Sequence, residues 1–136
     1  MISSQDVQVI AGGVASEGKD IKTNEALTHT LINRMKQPEK YGTSLVEMVL
    51  NHFPNIVNNL SEQKDDDMEM KKAYVAVGNT LRGNIKDETN GATHFAPKGS
   101  KLVGNFEKTH STDTHNFYKE SLADVNKQKP KRKTLR

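Results

Sequence analysis

The sequence predicts an α+β domain, mostly helical, with a small turn-rich β element. Three observations carry this. Apolar residues recur at helical spacing in successive stretches up to Leu81. Helix stops follow those stretches, at Gly18, Gln37-Pro38, Phe53-Pro54 and Gly83. From Asn84 onward the helical period gives way to turn formers, densest over Asp87–Pro97.

Taken in order, the first helix is predicted from Val7, Ile10, Ala11 and Val14, spaced i, i+3, i+4, i+7. Ser3 or Ser4 can cap its start, and Gly18 can stop it. Gly12 and Gly13 weaken a helix, so their place beside the apolar stripe implies that another element packs closely there. A second helix is expected from about Asn24 to Met35, with Ala26, Leu27, Thr30, Leu31 and Met35 inward. Gln37-Pro38 ends it. Ser44-Leu45-Val46-Glu47 is a capping box that opens a third helix, with Leu45, Met48 and Val49 inside. Phe53-Pro54 breaks that run, and a short helical turn is expected as far as Leu60. A polar loop, Ser61–Asp67, comes next. Asp66, with Glu69 three residues on, can cap a fourth helix with Met70, Ala73, Tyr74, Val77 and Leu81 on one face. Met48, Met68 and Met70 read as packing residues. Asn84 to Pro97 is expected to hold turns and one short strand or hairpin. Lys98–Thr112 reads as irregular, and Asp113–Val125 as a last helix with Phe117, Leu122 and Val125 inward.

The 136 residues suit one domain, over residues 1–126, followed by a basic tail over 127–136 that is expected to be disordered. The last ten residues hold six of the 20 basic residues and no acid, leaving 14 bases against 17 acids in the rest. The tail reads as a solvated extension or as a contact for nucleic acid or an anionic wall polymer. Hydrophobic residues make up 33% of the chain, so the core is modest. No apolar run approaches the roughly 20 residues that span a bilayer, and the first residues lack the pattern of a signal peptide. There are no cysteines, which excludes disulfides and thiolate metal sites.

Two places carry candidate chemistry. Glu17 follows an apolar helical face and stands between Ser16 and Gly18. A carboxyl pressed against apolar groups is costly to ionise and can deliver a proton near neutral pH. Thr93, His94 and Phe95 follow a turn that can aim them, and they offer a hydroxyl, an imidazole and a ring for a sugar face. Asn33 and Arg34 form a polar helix end with a cation suited to the dipole. His110 and His115 flank Asp113, but the spacing matches no standard zinc motif. No phosphate-binding loop, dinucleotide glycine pattern or nucleophile elbow is present.

In order, these segments resemble the SleB-type cell-wall hydrolase family. The matching parts are Val9–Glu17, then Ala26–Met35 with Leu31-Ile32-Asn33-Arg34, then Leu45–Phe53, then Tyr74–Gly83 and Asp87–Phe95. The resemblance covers about residues 5–98, and Gly91-Ala92-Thr93-His94-Phe95 is its most specific part. The chain departs from the family in having no Trp, in a slightly shorter stretch between Glu17 and Asn33, and in its nearby acids, Asp20 and Glu25.

The resemblance implies a compact lysozyme-like lytic transglycosylase domain. Such a domain cleaves the β-1,4 bond between N-acetylmuramic acid and N-acetylglucosamine in peptidoglycan. It implies Glu17 as the catalytic acid and base, and Thr93, His94 and Phe95 as groove wall. Asn33, Arg34, Asp87, Thr89 and Gly91 would be structural support, and no metal or organic cofactor is implied. An N-acetylmuramoyl-L-alanine amidase and a non-catalytic module of a virion are the alternatives. The expected setting is a phage endolysin, cytoplasmic until released, or a virion component acting at the bacterial wall. The partners would be glycan strands and, through residues 127–136, virion proteins, anionic polymers or nucleic acid.

Overall fold

The computed structural model of the chain describes residues 2–56 and 68–121. Helices α1 (Ser4–Glu17), α2 (Ile21–Met35), α3 (Pro38–Tyr41), α4 (Leu45–His52) and α5 (Met68–Leu81) precede strands β1 (His94–Pro97), β2 (Phe106–Ser111) and β3 (His115–Glu120). The strands form one antiparallel sheet in the order β1-β3-β2. The domain is α+β, and among the described residues no helix is long and apolar enough to cross a membrane.

Helix α1 starts in a capping box. Ser3 Oγ accepts from the Asp6 amide at 3.1 Å, and Asp6 Oδ2 accepts from the Ser3 amide at 3.2 Å. Ile10 to Ala15 are all buried, so the second half of α1 is enclosed rather than striped. The close approach expected at the glycines occurs at Gly13. A Cβ there would meet the Phe53 ring at 2.6 Å. Gly18 ends the helix with extended backbone, φ −104° and ψ 141°. Space rather than φ calls for glycine, since a Cβ would lie 2.2 Å from Asn24 Oδ1. The carboxyl of Glu17 is thus held at a tight corner.

Helix α2 begins earlier than periodicity suggests. Asp20 accepts from the Thr23 amide at 2.8 Å, which adds a turn before Asn24. Thr23, Asn24, Thr28 and His29 are buried along with the expected apolar residues, because α1, α3, α4, α5 and β1 all touch this helix. Thr28 returns its hydroxyl hydrogen to the Asn24 carbonyl at 2.7 Å, as Thr30 does to Leu27 at 2.6 Å. Pro38 opens the short helix α3. Ser44 caps α4, and Phe53 ends it one residue before Pro54.

On α5 the inward stripe is Met70, Ala73, Ala76, Val77 and Thr80. It is centred near Ala73, about 100° round the helix from Tyr74. Tyr74 therefore stands at the solvent edge, and Met68 is 61% exposed, which corrects the inward reading of both. Ile10, Val14, Leu27, Leu31, Val49, Phe53, Ile56, Val77 and Phe117 form the solvent-free centre of the core.

The last third differs most from expectation. Residues 98–112 are not all irregular, and the described part of the expected last helix, 113–121, holds a strand instead. Phe106–Ser111 and His115–Glu120 pair as a hairpin, with a register shift between Lys108 and His110. The Thr112 amide closes the turn on the His115 carbonyl at 2.9 Å. Alternation rather than a 3.6 period governs β3: His115 and Phe117 point inward, and their neighbours are less buried. Phe117 lies opposite Phe95 and plugs the helical core from the sheet side. The expected turn to Leu60, the loop Ser61–Asp67, the cap at Asp66, inward Leu122 and Val125, and the basic tail lie outside the described residues.

Candidate functional site

The ends of α1, α2 and α4, strand β1 and the segment that follows it converge on one groove. Glu17 is the last residue of α1, and its side chain is only 10% exposed. Asn55 Nδ2 donates to its Oε1 at 3.1 Å. On the other side, Oε2 lies 3.1 Å from His115 Nε2. The His115 side chain is 5% exposed, and its Nδ1 lies 2.8 Å from Thr114 Oγ1. Thr114 Oγ1 is 3.4 Å from Thr23 Oγ1, which in turn reaches Asp20 Oδ2 at 3.0 Å and Thr112 Oγ1 at 2.8 Å. A line of polar groups thus ties the Glu17 carboxyl through the β2–β3 turn to the cap of α2.

Sequence spacing marks His115 only as a candidate metal ligand beside His110. It is instead the partner of Glu17, 98 residues away. His110 lies on β2 with its ring 5.7 Å from that of Phe117. Among the described residues no group of three or more His, Asp or Glu could hold a metal ion. Asn55 was missed as well. The one sequence signal for His115 was the pair of six-residue runs rich in aromatic and β-branched residues around Thr112–Thr114, which reads as a hairpin.

The loop before β1 is organised by Asp87. Its Oδ1 accepts from the Thr89 amide at 2.9 Å and from the Thr89 hydroxyl, and its Oδ2 accepts from the Gly91 amide at 3.1 Å. Asn90 and Gly91 take left-handed φ of 58° and 86°. Asn33 Nδ2 donates to Asp87 Oδ2 at 3.1 Å and to the Ala92 carbonyl at 2.8 Å. Arg34 Nε donates to the Thr93 carbonyl at 2.7 Å. Burial pushes the Asp87 carboxyl up. Hydrogen bonds from Thr89 and Asn33, with His29 nearby, outweigh it and hold the carboxyl below its ordinary value. The end of α2 and this loop are therefore clamped together, so the strand that follows starts from a fixed point.

The groove has a volume of about 310 Å³, and Glu17, Arg34, His52, Pro54, His94 and Phe95 are among its lining residues. That is near the lower end of the usual size for a small-ligand site. Thr93 is buried and stands behind the groove, with its hydroxyl 2.9 Å from His94 Nδ1. Phe95 stacks on Phe53 with ring centroids 5.6 Å apart, so the groove floor rests on the core. A separate cavity beside His29, Glu25 and His110 has about 20 Å³, room for about one water.

Two histidines in the groove wall stay neutral. Burial, with the Arg34 guanidinium nearby, lowers His94 to about 4. Burial, then Arg34 and His94, push His52 well below its ordinary value. His52 Nε2 lies 2.8 Å from Thr30 Oγ1. Since the Thr30 hydroxyl already donates to Leu27, His52 Nε2 must carry the ring proton. Both rings have a folded pKa below the unfolded value of about 6.5. The unfolded chain therefore binds more protons between about pH 6.5 and 4, and stability must fall as pH falls through that range. Asp87 adds a loss in the same direction below about pH 4. Thermal melting from pH 7 to 4 is expected to show a steadily dropping midpoint, with a shallower slope in His94→Gln. A flat midpoint would mean that both rings are freely hydrated.

Compared with protein-family models, with curated proteins and with solved structures, the chain has no match.

Proposed function

We propose that this chain is a peptidoglycan-cleaving enzyme of lysozyme-like build. It would cut the β-1,4 bond between N-acetylmuramic acid and N-acetylglucosamine as a lytic transglycosylase. The observation that carries the reading is a largely buried carboxyl, Glu17, opening onto a groove with no second carboxylate among the described residues that line it. The motif order that resembles SleB-type hydrolases points the same way. Ordinary glycoside hydrolysis uses two carboxylates, one on each side of the bond. A lytic transglycosylase needs one. Glu17 would protonate the leaving glycosidic oxygen, and the carboxylate formed would then take the proton from the muramic C6 hydroxyl. That hydroxyl attacks C1 and closes a 1,6-anhydro ring.

The surroundings of Glu17 suit both halves of the cycle. Oε1 is tied to the exposed Asn55, so a substrate can reach it. Oε2 faces the buried His115. A ring N–H at Nε2 can serve Oε2 whether the carboxyl is protonated on Oε1 or ionised, and Nδ1 lies 2.8 Å from Thr114 Oγ1, which steadies the ring. On this reading His115 is a positioning residue. His94 and Phe95 form the wall that meets the sugar.

Mass spectrometry of purified peptidoglycan after incubation with the protein tests the proposal. The expected products are 1,6-anhydro-muropeptides. Products with only reducing muramic ends would make the chain a muramidase that finds a second carboxylate. Free stem peptides and intact strands would make it an amidase. An unchanged wall would leave a binding module.

A further inference from the structure

The groove holds a charge that the chemistry of Glu17 does not use. Arg34 lies in the last turn of α2 and lines the groove together with Glu17. Its Nε is committed to the Thr93 carbonyl, and its guanidinium carbon sits 4.6 Å from the centre of the Tyr41 ring. A hydrogen bond on one edge and an aromatic face below fix the plane of the group. The terminal nitrogens carry four more N–H groups, and among the described residues none of these has an acceptor. No carboxylate of the described residues lies within ion-pair distance. Glu17 is engaged by His115 and Asn55, and Glu120 pairs with Lys40. Lys101 adds a second positive group to the lining.

A part-buried guanidinium with no counter-ion among the described residues is costly, because burial strips water from the charge and the Tyr41 ring compensates only part of it. The cost is visible around it: burial lowers Arg34 itself, and its field depresses both His52 and His94. Its planar fork matches a carboxylate through two parallel hydrogen bonds.

We infer that Arg34 is an anion subsite of this groove and takes a carboxylate carried by the bound strand. The inference rests on the glycan-cleaving reading for the identity of that strand. Two sources offer the same group. One is the lactyl carboxylate of a muramic residue stripped of its peptide. The other is a free carboxylate on an attached stem peptide. The groove would then read a strand by its acid at one place and cut it by Glu17 at another.

Binding to the Glu17→Gln protein, which leaves ligands uncut, provides the test. The probes are a neutral N-acetylglucosamine tetramer, stripped muramic strands, and peptide-bearing strands with free or amidated carboxylates. Arg34→Gln is expected to weaken the carboxylate-bearing strands about tenfold, roughly 1.4 kcal/mol, and to leave the neutral tetramer unchanged. Loss with stripped strands identifies the lactyl group, and loss only with unamidated peptides identifies the stem. Equal weakening of neutral and acidic probes would overturn the inference, since Arg34 would then act only through Thr93. Because that contact could destabilise the variant, NMR of the Arg34 side-chain N–H signals in the unmutated Arg34 background gives an independent reading. Carboxylate probes, acetate included, should shift those signals and the neutral tetramer should not. No shift with any carboxylate would overturn the subsite. A shift with acetate alone would keep the subsite and remove the glycan reading.

Discussion

Replacing Glu17 by Gln is expected to reduce peptidoglycan cleavage by about 10³-fold, within the span that general acid–base groups supply. The change keeps size and shape but removes the transferable proton. The fold should survive. The new amide oxygen can accept from His115, and the Asn55 amide can turn to present its oxygen to the new N–H₂. Turnover of purified peptidoglycan, with circular dichroism and melting as controls, provides the measurement. Activity within a fewfold of the parent, on an unchanged fold, would remove Glu17 from the mechanism. His115→Ala should fall between the two, with a loss of up to about 10²-fold, since it leaves the acid but lets its side chain swing.

Phe53→Ala is expected to cost about 3–5 kcal/mol, a fall of roughly 10–20 °C in melting midpoint for a domain of this size. Phe53 has no exposed surface. Its ring presses on α1 at Gly13, stacks on Phe95 from β1 and lies 4.7 Å from the His52 ring. The ring is wedged between α1, α4 and β1, so little can collapse into the space it leaves. Phe95 would lose its support, and the groove wall should loosen with it. Thermal and urea unfolding of the variant gives the figure. A loss below about 1 kcal/mol would show that the helices repack without this ring.

Much of this was legible in the chain. The stripe from Val7 to Val14, the box at Ser44-Leu45-Val46-Glu47 and the break at Phe53-Pro54 are local signals, and they place α1 and α4 within a residue or two. Helix periodicity and capping act over a few residues, so a linear reading can find them. The same locality put Glu17 at a helix end and marked Asp87–Phe95 as a shaped loop. It misplaced Tyr74, because two overlapping stripes on α5 differ only in which face the rest of the fold covers.

The pairing of the sheet and the surroundings of the acid came from tertiary structure. Phe117 and Tyr118 give His115–Glu120 some local preference for a strand, but it becomes the central one because β1 and β2 both supply partners for its backbone. That pairing brings His115 to Glu17 and Phe117 into the core. The four N–H groups of Arg34 that reach no acceptor among the described residues likewise follow from where α2, Tyr41 and Thr93 meet. By itself the sequence determined the four longer helices, the caps at Ser3 and Ser44 and the residue types at each end of the groove. Which histidine faces the acid, and which cation faces the open groove, depended on contacts between residues tens of positions apart, and no local period encodes those.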